Sequence, residues 1–278
     1  MLKIQKIKIP EDLPSHQPTV PTIGVCHDAD SAEIVSLAAT YRIKHLVQET
    51  EPFYISEVKT SEIMLSSMET YLTFPISTIL TPDNCGRDSE RQHMVFERTF
   101  SKANEKAAIL DEMDVHLKRF KKSPFFKSEI KMVVDELFTN AIYNAPHVVF
   151  ETNRSGVART KENGNRDDIK AARLFMGADQ SRIVLGCEDS YGSLNPDRLI
   201  EKLRKCFENA DSAINFGEGG AGLGTYMIFR SAISFYVGVI RGKKTVVCCT
   251  FSLAPGKIEG ARNIHFACTD NGGGSNGR

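Results

Sequence analysis

The stretch Val133–Pro146, VVDELFTNAIYNAP, decides how the chain is read. At about 100° per residue, Ile130, Val133, Val134, Leu137, Phe138, Ala141, Ile142 and Ala145 form one continuous apolar arc, the signature of an amphipathic helix. Glu136, Asn140 and Asn144 follow one another at intervals of four along one margin of that arc, while Asp135 and Thr139 lie on the opposite, solvent side. Polar groups at the margin of a core need partners, because an unpaired buried carboxylate or amide is expensive. One carboxylate and two amides in a row suit a hydrated metal ion and the phosphates it carries. Capping of a nearby loop, or simple contact with water, is the alternative reading of the same three residues.

The rest of the composition is neutral. The 278 residues contain 35 Lys+Arg and 35 Asp+Glu, so no bulk charge points to nucleic acid or to an anionic membrane, and any partner is recognised through a local site. The first residues, MLKIQKIKIPEDLP, lack an apolar core followed by a cleavage site, and no apolar run spans a bilayer, so a cytoplasmic protein is expected. The seven cysteines form no C-x-x-C pair and the seven histidines have no ligand spacing, so reduced, packed thiols are expected rather than a zinc site.

Outward from the opening helix, three segments emerge. Thr22–Ala29, Ser31–Tyr41 and Lys44–Val47 read as strand, helix and strand, followed by a helix over Ser56–Leu72. Thr81–Gln92 has turn formers and charge without an apolar period, which predicts a boundary. The expected division is a small α/β regulatory module at 1–92, degenerate and receiver-like because CHDAD places Asp28 and Asp30 after a strand, then a larger domain at 93–255. A flexible tail is expected at 256–278. The larger domain reads as helices at Ser101–Phe120 and from Ser123–Pro124 onward, a strand at His147–Thr152, a polar loop at 153–170 and a strand at Arg182–Asp189. A helix at Leu199–Ala210, a glycine-rich loop, a further helix and a hairpin complete it. This order predicts a two-layer α/β sandwich, a mixed sheet with helices on one face.

Two more motifs bear on chemistry. Asp189 ends an apolar strand and is followed by a glycine turn at Gly192, well placed to accept a hydrogen bond from a ligand amine, although a strand-end aspartate also commonly starts a turn. GEGGAGLG, with Gly217, Gly219, Gly220, Gly222 and Gly224, opens onto a helix. Glycine admits close backbone approach and a helix N-terminus favours phosphate, so a ligand lid is expected in preference to a flexible linker, the alternative reading. Neither the P-loop nor the dinucleotide fingerprint fits it.

An acidic residue with asparagines on a helix, a strand-end Asp with glycine, and G-x-G-L-G before a helix occur in this order. Over roughly Phe96–Leu253 the chain therefore resembles the GHKL superfamily, the histidine kinase-like ATPases. The stretch DELFTNAIYNA is most similar to the anti-sigma-factor serine kinases. The resemblance implies ATP and Mg²⁺ as cofactors. It implies Glu136 as general base, Asn140 as metal ligand, Asn144 beside the phosphates and Asp189 on the adenine amino group. Gly192 falls in the first glycine box; Gly220, Gly222, Leu223 and Gly224 fall in the second; Thr245 stands near adenine. The first glycine box departs from D-x-G-x-G, reading Asp189-Ser190-Tyr191-Gly192-Ser193. The implied function is a signalling protein that phosphorylates or sequesters a regulatory protein partner, a sigma factor or an anti-anti-sigma-type protein, with homodimerisation compatible. A nucleotide-controlled binding switch without turnover is the alternative. His116 has no surrounding phosphoacceptor motif and reads as an ordinary surface or core-margin histidine.

Overall fold

The computed structural model describes residues 4–9, 18–120, 122–146, 165, 167–208, 223–254 and 260–269. Its strands are β1 (Gln5–Ile9), β2 (Thr22–Cys26), β3 (His45–Gln48), β4 (Met94–Phe100), β5 (Ala172–Ala178), β6 (Arg182–Asp189), β7 (Ser234–Ile240), β8 (Lys244–Ser252) and β9 (Asn263–Thr269). They form one mixed sheet in the order β1-β2-β3-β9-β7-β8-β6-β5-β4. The pairs β1–β2, β2–β3 and β7–β9 are parallel, and the others are antiparallel. The α/β sandwich with a mixed sheet is thus observed.

Side chains alternate across the pleat and sort the core into two faces. Leu174, Leu185, Val237, Phe251 and Phe266 point to one face, where they meet α1 (Ser31–Tyr41), α6 (Lys106–Leu117), α7 (Pro124–Thr139), α8 (Pro196–Glu208) and α9 (Leu223–Ser231). Phe175, Val184, Tyr236, Val246 and Cys248 point to the other face. There they pack on α2 (Tyr54–Ser66), α3 (Met68–Thr73) and α4 (Pro75–Leu80), a short α5 (Arg87–His93) following. All the described helices between residues 93 and 255 therefore lie on one face, as the sequence predicts, and the N-terminal segment adds a layer on the second.

That added layer changes the expected partition. Thr81–Gln92, read as a boundary, leads through α5 directly into β4 of the common sheet. Within 256–278, expected as a flexible tail, residues 263–269 form β9, which joins β3 to β7 and so welds the N-terminal strands to the larger domain. Asp30, read as receiver-like, is instead the N-cap of α1: its carboxylate accepts the N–H groups of Ala32 (2.8 Å) and Glu33 (2.9 Å). The helix expected over Ser56–Leu72 breaks at Ser67 into α2 and α3. The strand expected at 147–152, most of the loop expected at 153–170 and the terminal NGGGSNGR lie outside the described residues.

A dry polar cluster fastens α2 to the sheet. The carboxylate of Glu57 accepts hydrogen bonds from Ser234 Oγ (2.8 Å) and the Tyr236 hydroxyl (2.6 Å), and is hydrogen-bonded to His265 Nε2 (2.9 Å). The Arg182 guanidinium stands 3.6 Å away. Nδ1 of His265 is bonded to Ser61 Oγ, one turn further along α2 (2.9 Å). All these side chains are buried. Burial alone would raise the Glu57 carboxyl, yet the His265 hydrogen bond, with the Arg182 charge, holds it below its ordinary value.

Candidate functional site

The candidate site begins where α7 meets α9. Ser123 caps α7 by accepting the Phe126 N–H (3.2 Å), and Pro124 in the first turn presets the helical φ. Ile130, Val133, Val134, Leu137 and Phe138 are buried as the apolar arc requires, with Phe138 stacked on Phe100 at 4.5 Å. Glu136 stays half-buried on the margin and lies against the second residue of α9. A Cβ added to Gly224 would stand 1.9 Å from the Glu136 carboxyl carbon. The carboxylate thus rests on a glycine backbone at the positive end of a helix dipole, a contact that any larger residue would displace.

The two asparagines follow in a way that regular helix geometry does not anticipate. Asn140–Asn144 is a π-helical turn, in which the Ala145 N–H reaches back to the Asn140 carbonyl. Single π turns inside helices concentrate at functional sites because they redirect side chains. Here Asn144 Nδ2 donates to Asn140 Oδ1, which retains a second acceptor position. The amide pair and the Glu136 carboxylate supply oxygen donors, the kind Mg²⁺ takes. Among the described residues no three His, Cys, Asp or Glu side chains converge on a metal position.

Asp189, at the end of β6, folds its turn around itself. Oδ1 accepts the N–H groups of Tyr191 (2.9 Å) and Gly192 (3.3 Å), and Thr245 of β8 is its cross-strand partner. Burial pushes the Asp189 carboxyl above its ordinary range, against the pull of those N–H groups. Gly192 has φ +59°, and a Cβ there would fall 2.0 Å from the Ile240 carbonyl oxygen. Its own carbonyl accepts the Gly242 N–H (3.1 Å), so the turn is clamped onto the β7–β8 hairpin.

Tyr191, which departs from the expected glycine box, is buried and serves as a strut. Its hydroxyl accepts the Lys170 N–H (2.7 Å), and the Lys170 ammonium lies over its ring at 5.3 Å. Ser193, the other departure, donates from Oγ to the Ala145 carbonyl (3.0 Å). That bond ties the Asp189 turn to the helix end just beyond Asn144. Sequence reading missed both roles; each depends on a residue far along the chain, and no local pattern signals it.

Of the predicted site residues, Glu136, Asn140, Asn144, Asp189, Gly192, Gly224 and Thr245 are described, and the contacts above link them around one end of the sheet. Leu223 starts α9, and Gly220 and Gly222 lie outside the described residues. Among the described residues no helix is long and apolar enough to cross a membrane.

No family model matches the chain, and no curated protein matches it significantly. Among solved structures, a chain of the SiaB–SiaC complex from Pseudomonas aeruginosa superposes with a TM-score of 0.42 and 13% identity, over 59% of this chain and 93% of that one.

Proposed function

We propose that this chain is an ATP- and Mg²⁺-binding signalling protein that acts on a protein partner, with phosphoryl transfer to a partner Ser or Thr as the reaction. One observation carries the reading: Glu136 against Gly224, and Ser193 bonded to Ala145, bring the acidic helix margin, the asparagine turn, the Asp189 turn and the α9 N-terminus together. Bound ATP with its metal supplies the phosphoryl group. Asp189 orients the adenine by accepting its amino group. Asn140 would offer its amide oxygen to the metal and Asn144 an amide N–H to the phosphates, whose negative charge the α9 N-terminus favours. Glu136 orients the partner hydroxyl and takes its proton. Positioning and charge neutralisation then supply most of the rate.

A nucleotide-controlled binding switch without turnover is the second reading. The observation favouring it is the first glycine box, where Tyr191 and Ser193 serve structural contacts instead of leaving open backbone. Calorimetric titration with ATP, with and without Mg²⁺, tests the shared premise. Metal-dependent binding is expected, weakened at least about tenfold, or 1.4 kcal/mol, in Asp189→Asn; no binding by the unaltered chain ends both readings. Glu136→Ala separates them. Loss of partner phosphorylation and regulation with ATP affinity intact supports transfer, whereas intact regulation supports the switch.

A further inference from the structure

On α7, Phe125, Glu129, Met132 and Glu136 are spaced by four, three and four residues, so they form one stripe along the helix. The far flank of α7 belongs to α6, held by Lys131–Asp114 (2.6 Å) and Lys106–Asp135 ion pairs. The stripe borders α9 instead, since its last member touches Gly224. Met227 lies one turn beyond Gly224 and so stands on the edge of α9 nearest α7. Four large apolar side chains are exposed among the described residues, and two of them edge this groove: Phe125 at 72% and Met227 at 40%. Met132, on the same stripe, is half-buried against the core. Glu129 is half-buried too, and among the described residues no cation or hydrogen-bond donor is paired with it. Its partial loss of water raises its carboxyl above the ordinary value.

We infer that the groove between α7 and α9 is the docking track for a segment of a protein partner that carries apolar side chains and a lysine or arginine. Apolar side chains of the segment cover Phe125 and Met227 in turn, and the cation pairs with Glu129, whose carboxylate is already partly desolvated without a counter-charge. The track has a direction. Phe125 and Glu136 are eleven residues apart on one helix, roughly 16 Å, so a segment anchored at Phe125 runs about five extended residues before it reaches Glu136. This inference rests on the proposed role of Glu136 for its end point, but the docking itself requires no nucleotide.

The test uses the full chain and two fluorescein-labelled decapeptides of Leu, Ser and Lys or of Leu, Ser and Glu, followed by fluorescence anisotropy without nucleotide, with an ATP titration in parallel. The basic peptide is expected to bind at least tenfold more tightly than the acidic one, more weakly as salt rises. Phe125→Ser and Met227→Ser should each weaken it several-fold. Glu129→Lys should invert the preference toward the acidic peptide, an outcome that misfolding does not produce. Equal binding of both peptides, or basic-peptide binding unchanged in all three variants, overturns the inference. So does a concentration-dependent dimer of the unaltered chain that Phe125→Ser dissolves, because a second copy would then occupy the groove. Peptide binding without ATP binding leaves the groove standing and ends the nucleotide reading; ATP binding without peptide binding does the reverse.

Discussion

At Gly192 an added methyl group has nowhere to go. The φ of +59° is strained for any L side chain, and the Ile240 carbonyl that a Cβ would strike belongs to the backbone of the β7–β8 hairpin. Gly192→Ala is therefore expected to lower unfolding stability by about 1–3 kcal/mol, measured by urea denaturation. Gly224 is the opposite case. The atoms its Cβ would meet are the far end of the Glu136 side chain, which can rotate away. Gly224→Ala should change the urea midpoint little while reducing partner phosphorylation by at least about tenfold, or 1.4 kcal/mol of activation free energy. A full loss of stability there would mean that the contact serves packing rather than the site.

At the scale of elements, the opening helix is legible because its apolar arc, its Ser123 cap and its Pro124 first turn agree. Ser123→Ala removes the acceptor of the Phe126 N–H and should cost about 1 kcal/mol, read from the thermal midpoint. The π turn that follows is not legible, since Asn140–Asn144 continues a good helical pattern and only the surrounding structure decides the extra residue in its hydrogen-bonded ring. Strands β4, β5 and β9 are also hard to read. MVFERTF, ARLFMGA and NIHFACT are short and flanked by charge or polar turns, so their pairing is settled by neighbours 70 or more residues away in the case of β4 and β5. A chain stopped at residue 259 lacks β9 and with it the link between β3 and β7. Loss of cooperative unfolding is the expected result, visible by circular dichroism; an unchanged melt would show that the N-terminal strands hold without it.

For the whole molecule, the buried Glu57 cluster makes stability depend on pH on the acid side. Replacing Glu57 with alanine leaves Arg182 and His265 without their buried partner and is expected to cost about 3–5 kcal/mol. Glu57 and His45 contribute to the pH dependence with the same sign, opposed in part by the raised carboxyls of Asp189 and Glu129. Glu57 is held below its ordinary 4.5, so its contribution is complete above that pH and is lost as pH falls through the lower folded value. His45, buried beside His265 and Lys44 and with neither ring nitrogen bonded among the described residues, is held neutral well below its ordinary 6.5, burial being the first cause. The unfolded chain gains that proton below about pH 6.5 and the folded chain does not, so stability declines from there downward. Urea midpoints across pH 4–8 should show this decline, and His45→Leu should flatten its upper part.

The sequence by itself determined the class of fold and the local elements on which the candidate site residues stand. Helical and strand periods, the cap of α7, the strand-end Asp189 and the glycines before α9 are local patterns, governed by backbone sterics and by the facing of side chains over a few residues. Tertiary structure alone decided that Glu136 rests on Gly224, that Ser193 binds Ala145, and that Tyr191 braces Lys170. It also decided that one sheet runs through the expected boundary, because β9 pairs with strands on both sides of it. Such contacts join residues tens to hundreds of positions apart. Their geometry follows from the packing of whole layers against one another, which no window of sequence contains.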